Sequence, residues 1–491
     1  MDYSKLMSER DKSLPLYAQL QASLEKAIMS GDLPAGARLP SERDLATQME
    51  LSRTTVVSAY RELESRGLVR SHVGRGTFVC ATLEPTDGPF AWRGKVSARV
   101  AHLGKNMSLR QFMREAPNAD LISFALSAPA FECFPISDYK RAVEQTLRRH
   151  AGVALGLAPT EGQPQLRHTL ARRFGTKPER ILILSGSQQG LDLISRCLID
   201  PGDAVIMDRP GYVGAIQTFR AAGANLIGWD AVRADIDELE DLVVRHRPKL
   251  IYTDPSFQNP TGRTLTLRER QDLLKLAARY RIPLVEDDPH HETYLEAAPP
   301  PSLYHMDTYN IVIHLGTFSK VLAPGLRLGW LAASEYIVDQ LASIKQHENL
   351  FTEGLGQFVI ADFLRSGLFD NHLVALREEH QKRRDLLRRA VVKHLPPRTL
   401  ELNQPRGGVH FWCRLGNGVE ARPLLQRALL NGVAFVPGEM FYPDGGGRHE
   451  LRLCFSCVPT GSIEEGVKRL KTAIAADAKR PADENFVVPV V

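Results

Sequence analysis

Five apolar runs, each ending in polar residues and separated by helix-forming stretches, constrain the fold of this chain most. They are the "ILIL" of "RILILSGSQQGLDLISRCL", then "DAVIMDRPGY", "LIYTDPSFQNPTG", "IPLVEDD" and "IVIHLGTFSK". Strands apolar on both faces belong inside a covered sheet, and helical connections make that sheet mostly parallel. Ligands bind such sheets just beyond the C-terminal strand ends. These runs place their polar residues there. Residues 120–479 therefore read as one α/β unit with helices on both faces of a mostly parallel sheet.

A chain of 491 residues is too long for a single core, so two or three domains are expected. The opening "MDYSKLMSERDKSL" is charged and has no apolar centre, so no signal peptide is expected. No apolar run reaches the roughly 18 residues of a membrane span. Six scattered cysteines suit a reducing cytoplasm better than a disulfide framework. Cys454 and Cys457 form a C-x-x-C within "LRLCFSC". With no second Cys/His pair nearby they read as strand residues, and no metal is expected. The net charge of +5 neither demands nor excludes nucleic acid.

Residues 1–79 read as a separate head. "LPLYAQLQASLEKAIMSGDL" spaces Leu16, Leu20, Leu24 and Ile28 along one helical face, and Gly31 ends that helix. Ser41 caps a short second helix, with Asp44 as its capping-box partner. A third helix starts at Ser52, turns Val56, Tyr60 and Leu63 inward and closes at Gly67. Two β-rich runs around Gly74, Arg75 and Gly76 then read as a hairpin. Three helices and a hairpin, with a short turn between the second and third, make a winged helix-turn-helix. Its exposed third-helix start carries Ser52, Arg53, Thr54 and Thr55, donors suited to base edges and phosphates. Arg43, Arg75 and Gly76 flank it on the DNA side. Residues 41–79 hold six basic against five acidic side chains, so pattern rather than charge carries this reading. "PLYAQL", "LPSERDLA", "SRTTVVSAYRELESRGLV" and "GRGTFV" closely resemble the GntR family of bacterial regulators, which implies binding to double-stranded operator DNA.

Residues 80–119 lack periodicity and read as a linker, within which Trp92 and Phe112 mark places that could dock; residues 480–491 read as a tail.

Lys320 lies in "GTFSK", among small residues that could not solvate it. Asp287 ends the strand before it, and Asn259 sits in "NPTG" past another. Ser187 and Gln188 open a helix after "ILIL", where backbone N–H groups can take a phosphate. This set suits pyridoxal 5′-phosphate. A lysine amine condenses with the aldehyde, and a carboxylate on the pyridine nitrogen keeps the ring an electron sink. The ring of Tyr212 can stack on the cofactor face.

The region resembles the fold-type I, aspartate aminotransferase-like enzymes, because "SGSQQG", "NPTG", "EDD", "GTFSK" with its following Arg, and "LRLCFS" occur in that family's order. The resemblance implies that Lys320 carries the cofactor and that Asp287 binds the pyridine nitrogen. It implies Asn259 at the ring hydroxyl and Tyr212 on the ring face. Ser187, Gln188, Thr317, Ser319 and Arg327 would hold the phosphate, and Arg452 a substrate carboxylate. Two positions depart from the family. Pro289 and His290 stand where a tyrosine usually bonds the ring hydroxyl, a role His290 can still serve. Leu157 replaces a tyrosine that reaches the neighbouring subunit's phosphate, and a leucine cannot donate that bond.

A GntR-type head joined to an aminotransferase-like domain is the arrangement of the MocR-type regulators. That resemblance implies a cytoplasmic, homodimeric transcription factor that senses an amino compound, or pyridoxal phosphate itself, at Lys320. The alternative is an active aminotransferase that retains a DNA-binding head.

Overall fold

The structure is a computed structural model that describes residue 3 and residues 15–72, 75–80 and 120–476. Gly74, expected at a hairpin tip, Trp92, Phe112, the expected linker beyond Cys80 and the expected tail lie outside the described residues. The chain divides into two compact units, Met1–Ala101 and His102–Val491.

In the first unit α1 (Leu16–Met29), α2 (Glu42–Gln48) and α3 (Arg53–Ser65) precede an antiparallel hairpin of β1 (Val69–His72) and β2 (Gly76–Val79). Leu20, Leu24 and Ile28 of α1 share one core with Leu45, Val56, Tyr60 and Leu63. Leu16 departs from the expected inward face and is 40% exposed. It is the first residue of α1, and burial begins only at Gln19. Ser41 accepts from the Asp44 amide at 3.2 Å and Ser52 from the Thr55 amide at 3.1 Å, which fixes where α2 and α3 begin. Gly31, at φ +81°, takes a left-handed conformation just past the end of α1.

The second unit opens with β3 (Ile122–Ser123). A seven-stranded sheet follows, built from β4 (Ile181–Leu184), β5 (Ala204–Asp208), β6 (Asn225–Trp229), β7 (Leu250–Thr253), β8 (Leu284–Asp287), β9 (Val312–Thr317) and β10 (Gly329–Ala332). Its order is β4-β10-β9-β8-β7-β5-β6, and only β10 runs against its neighbours. Alternation along a strand splits its side chains between the faces. Val205 and Met207 join one core, with Leu191 and Leu341 from covering helices. Ile206 joins the core on the other side, with Leu239 and Leu273. The five apolar runs of the sequence are β4, β5, β7, β8 and β9.

A smaller antiparallel sheet comprises β11 (Leu400–Leu402), β12 (His410–Leu415), β14 (Val436–Pro437) and β15 (Glu450–Cys454), in the order β11-β12-β15-β14; β13 (Val433–Ala434) pairs in parallel with β3. The helices Ala421–Leu430 and Ile463–Ala475 cover it. Among the described residues, no helix is long and apolar enough to cross a membrane.

Candidate functional site

The parallel strand ends deliver the expected groups to one place. Ser187 and Gln188 begin the helix Ser187–Leu198 after β4, and Tyr212 caps the helix Val213–Ala221 after β5. Asn259 follows β7, Asp287 ends β8, and Thr317 ends β9, with Ser319 and Lys320 just beyond. Arg452 arrives from β15 of the smaller sheet. Its Nη1 donates to Asn259 Oδ1 at 2.8 Å, and its Nη2 to the Ala125 carbonyl at 2.7 Å. The Tyr212 hydroxyl reaches Gln188 Oε1 at 3.4 Å.

Electrostatics follow from burial. Enclosure holds the Lys320 ammonium down to about 8, and the Arg452 charge adds to this, while Cys454 and Asp287 pull the other way. Asp287 is pushed up to about 6 by burial, partly offset by the Tyr252 hydroxyl, which donates to its Oδ2 at 2.9 Å. Asp287 Oδ1 is buried without a partner among the described residues. A buried carboxylate oxygen left open in this way suits a ring N–H. His290 is fully buried and held down to about 3, first by desolvation and then by Lys320 and Arg452. It is therefore neutral at working pH, and its ring meets that of His410 edge-on at 5.2 Å.

A phosphate-sized anion suits the other end. The helix Ser187–Leu198 has no side-chain cap; its Gln189 amide donates to the Gly186 carbonyl at 3.1 Å, and the Ser187 and Gln188 amides stand ahead of it at the helix start, where an anion is favoured. Gly186 before it takes φ +95°, and a Cβ there would stand 2.8 Å from Arg327 Nη2. Arg327 is exposed and donates to the Ser185 carbonyl at 3.3 Å. Thr317 Oγ1 accepts from the Ser319 amide at 3.1 Å. Leu157 is 84% exposed.

Sequence reasoning missed several members. Asp208 and Asp254 are buried carboxyls whose raised values come from desolvation. Asp208 Oδ2 accepts from the Asp254 amide and Asp254 Oδ2 from the Asn259 amide, both at 2.8 Å, so the pair shapes the Asn259 turn. Their signal was present, since each directly ends an apolar run. Tyr252 and His410 carried none: both look like ordinary strand residues.

The segment Ser123–Ala128 was missed too. Its successive carbonyls accept from the site: Ser123 and Leu126 from the Cys457 thiol, Phe124 from the Cys454 amide, Ala125 from Arg452, Ser127 from Lys320 Nζ and Ala128 from the Ser456 hydroxyl. The Ser127 hydroxyl also meets His410 Nε2 at 2.9 Å.

A cavity of about 450 Å³ lined by Phe174, His305, His314, Trp330 and Phe369 is separate, and of the expected site residues it touches only Thr317. Glu286, Asp288 and His314 also cluster. The oxygens of Glu286 are already engaged by the Leu303 and Tyr304 amides and by His314.

In the first unit, Ser52, Arg53, Thr54 and Thr55 gather at the start of α3. The Ser52 hydroxyl bonds those of Thr54 at 2.9 Å and Thr55 at 2.7 Å, and Arg53 Nη2 meets Glu42 at 3.2 Å while remaining 72% exposed. Arg43 and Arg75 are exposed. Arg38, which the sequence did not single out, lies against the hairpin, where a Cβ on Gly76 would stand 2.8 Å from its Nε.

A mostly parallel sheet that gathers a lysine, a buried carboxylate, an asparagine and an open helix start at its strand ends defines a fold-type I, aminotransferase-like domain. Aminotransferase class I and II matches residues 120–470, and the bacterial regulatory proteins of the gntR family match residues 16–79. The chain belongs to the aminotransferase class I and II family, with a GntR head in the MocR-type arrangement. It is 30% identical to the probable rhizopine catabolism regulatory protein MocR of Rhizobium meliloti, over 96% of each chain. It is 36% identical to a 2-aminoadipate transaminase of Thermus thermophilus, over 79% of this chain and 98% of that one. The crystal structure of LysN, an α-aminoadipate aminotransferase of Thermus thermophilus, superposes with a TM-score of 0.74 at 35% identity, covering 79% of this chain and 99% of that one. The cofactor of this domain is pyridoxal 5′-phosphate.

Proposed function

We propose that the chain is a transcriptional regulator that binds operator DNA through its head and senses an amino compound, or pyridoxal phosphate itself, at Lys320. The observation that carries this reading is a winged head and a Lys320–Asp287–Asn259 cluster within one chain, whose relatives along nearly its full length include a probable regulatory protein. When bound, pyridoxal phosphate supplies an electron sink for bonds to the carbon bearing an amine.

The chain's own residues act around it. Lys320, with its value near 8, exposes a neutral amine to the cofactor aldehyde at a useful fraction of molecules near neutral pH. Asp287 uses its open Oδ1 to hold the ring N–H. Asn259 Oδ1 accepts from Arg452 Nη1, which leaves Nδ2 to donate to the ring hydroxyl. Neutral His290 donates beside it, and Tyr212 covers the ring face. Ser187, Gln188, Thr317, Ser319 and Arg327 take the phosphate, and Arg452 takes a carboxylate. In the head, Arg53, Thr54 and Thr55 approach base edges, while Arg43, Ser52, Arg75 and Gly76 border the backbone.

In this reading the protein is a cytoplasmic homodimer. Exposed Val153, Leu155, Leu157 and Leu350 support a covering second copy, being 57%, 69%, 84% and 61% exposed. Two heads on one dimer would read half-sites about 34 Å or a multiple apart. Ligand shifts DNA affinity only through a difference in its binding to two arrangements of the protein.

An active aminotransferase remains the second reading, favoured by the retained Lys320 and by the Thermus thermophilus relative. Leu157 and His290 weigh against fast turnover, because small misplacements of reacting groups cost on the order of a hundredfold in rate. The test titrates full-length protein with operator DNA, with and without candidate amino compounds, and measures turnover with a keto acid in parallel. A ligand-dependent change in DNA affinity with slow turnover is expected. Unchanged DNA affinity with many turnovers would promote the enzyme.

A further inference from the structure

Two of the expected ring contacts sit on turns that share a buried root. β5 and β7 are neighbours in the large sheet, and Met207 with Tyr252 is their last pair. Past those ends one turn runs through Pro210 and Gly211 to Tyr212, and the other through Asp254 and Gln258 to Asn259. Asp208, the last residue of β5, stands between them. Its Oδ2 accepts from the Asp254 amide at 2.8 Å and from Gln258 Nε2 at 3.0 Å. The same Nε2 donates to the Pro210 carbonyl at 3.1 Å. The Thr261 hydroxyl donates to Gln258 Oε1, which fixes the orientation of that amide. Asp254 Oδ2 in turn takes the Asn259 amide at 2.8 Å. Asp208, Asp254, Gln258 and Asn259 are all buried.

We propose that Asp208 is a positioning residue for the cofactor ring: it joins the Tyr212 and Asn259 turns into one clamp, and so sets both ring contacts without touching the cofactor. This rests on the roles given above to Tyr212 and Asn259.

Burial is the first support. Buried backbone donors must be paired. An apolar side chain at position 208 would leave the Asp254 amide and one Gln258 hydrogen without an acceptor, and the two turns without a shared partner. Close approach is the second. A Cβ on Gly211 would stand 2.3 Å from the Asp208 carbonyl oxygen, so the first turn folds tightly back on Asp208. The two turns do not depend on Asp208 equally. Asn259 is reached by two routes, through Asp254 and through Gln258. Tyr212 is reached through the Pro210 carbonyl alone, and its turn has a second anchor, because the Gly211 amide donates to the Phe441 carbonyl at 2.7 Å. The ring hydroxyl beside Asn259 is therefore where a broken clamp shows most.

The clamp also needs only one oxygen. Both donors fall on Oδ2, and Oδ1 has no partner among the described residues. An asparagine can place its single oxygen where Oδ2 stands and keep both bonds, although it carries no charge.

The test loads the full chain with pyridoxal phosphate and follows its absorbance against pH. A donor from Asn259 favours the ionised ring hydroxyl, so losing that bond moves the titration midpoint up. Asn259→Ala gives the reference shift. Asp208→Leu keeps the branching and removes the acceptor; it should move the midpoint up on the order of one pH unit, the size of a lost hydrogen bond to a charged group. Gln258→Met keeps the side-chain length and removes both donations. It should shift the midpoint the same way, and it carries the test if Asp208→Leu does not fold. Asp208→Asn should stay near the parent. A midpoint moved by Asn259→Ala but by neither Asp208→Leu nor Gln258→Met would overturn the clamp and leave the Asn259 role standing. A midpoint unmoved by Asn259→Ala would overturn that role and the clamp with it. If Asp208→Asn shifts as far as Asp208→Leu, charge rather than an acceptor is at work, and the proposal fails. A lower melting temperature with an unmoved titration would reduce Asp208 to support of the fold.

Discussion

The two units hold their functional residues in opposite ways. In the head, Ser52, Arg53, Thr54 and Thr55 are contiguous, and all but the half-buried Thr55 are exposed; they are satisfied by one another and by Glu42. In the aminotransferase-like unit, Asp287, Asn259 and Arg452 are buried and come from distant segments, and the Arg452–Asn259 bond spans 193 positions. An interface for a polyanion needs reach and solvent, and local sequence suffices to build it. A site that perturbs titration needs enclosure, and only tertiary structure supplies that. Mutations should therefore act separably: surface changes on DNA affinity, interior changes on cofactor chemistry.

The largest expected effect is Lys320→Ala. Borohydride-fixable pyridoxal phosphate should be lost completely, while operator binding without ligand stays intact. Loss of both would break the comparison. Next, Asp287→Asn should weaken cofactor retention on the order of 10- to 100-fold, as removal of a hydrogen bond to a charged group does; equilibrium dialysis measures it, and an unchanged constant would remove Asp287 from its role. Arg53→Ala should cost operator binding about 1–3 kcal/mol if it reads a base. Equal losses on operator and random DNA would reduce Arg53 to a phosphate contact. Ser52→Ala should destabilise the head by about 1 kcal/mol through the lost cap, seen as an earlier denaturation step with cofactor absorbance unmoved. The smallest effect is in pH. Acylation of Lys320 in cofactor-free protein should rise with a midpoint of about 8. Because the folded value lies below the unfolded one, the unfolded chain binds more protons between the two. Lys320 therefore opposes folding most below pH 8, and that penalty fades as pH rises through 8 toward its ordinary value. A midpoint near the ordinary value of lysine would show a solvated amine.

Much of this architecture is legible in the amino-acid sequence. The five apolar runs are strands, because burial on both faces gives an inner strand a continuous apolar stretch, although that pattern does not say which strands pair. The caps at Ser41 and Ser52 are readable because a cap is a local bond. Leu16 misleads because a helical stripe does not say where burial begins. Tyr252, His410 and the segment Ser123–Ala128 stay hidden for a shared reason. A phenol inside a strand, a histidine at a strand start and a run of backbone carbonyls have no composition that marks them. Their importance comes from what stands opposite, and for Ser127 that is a lysine 193 positions away.

The engaged state of Arg452 has one further consequence. Its Nη1 and Nη2 already hold Asn259 and the Ala125 carbonyl, and only Nε lacks a partner among the described residues. A guanidinium carries five N–H donors, and two are engaged here, so in the proposed carboxylate role Nε–H would be among the donors left for the ligand. The two existing bonds would fix the plane of the fork before a ligand arrives, and the ligand would be spared the cost of ordering that side chain.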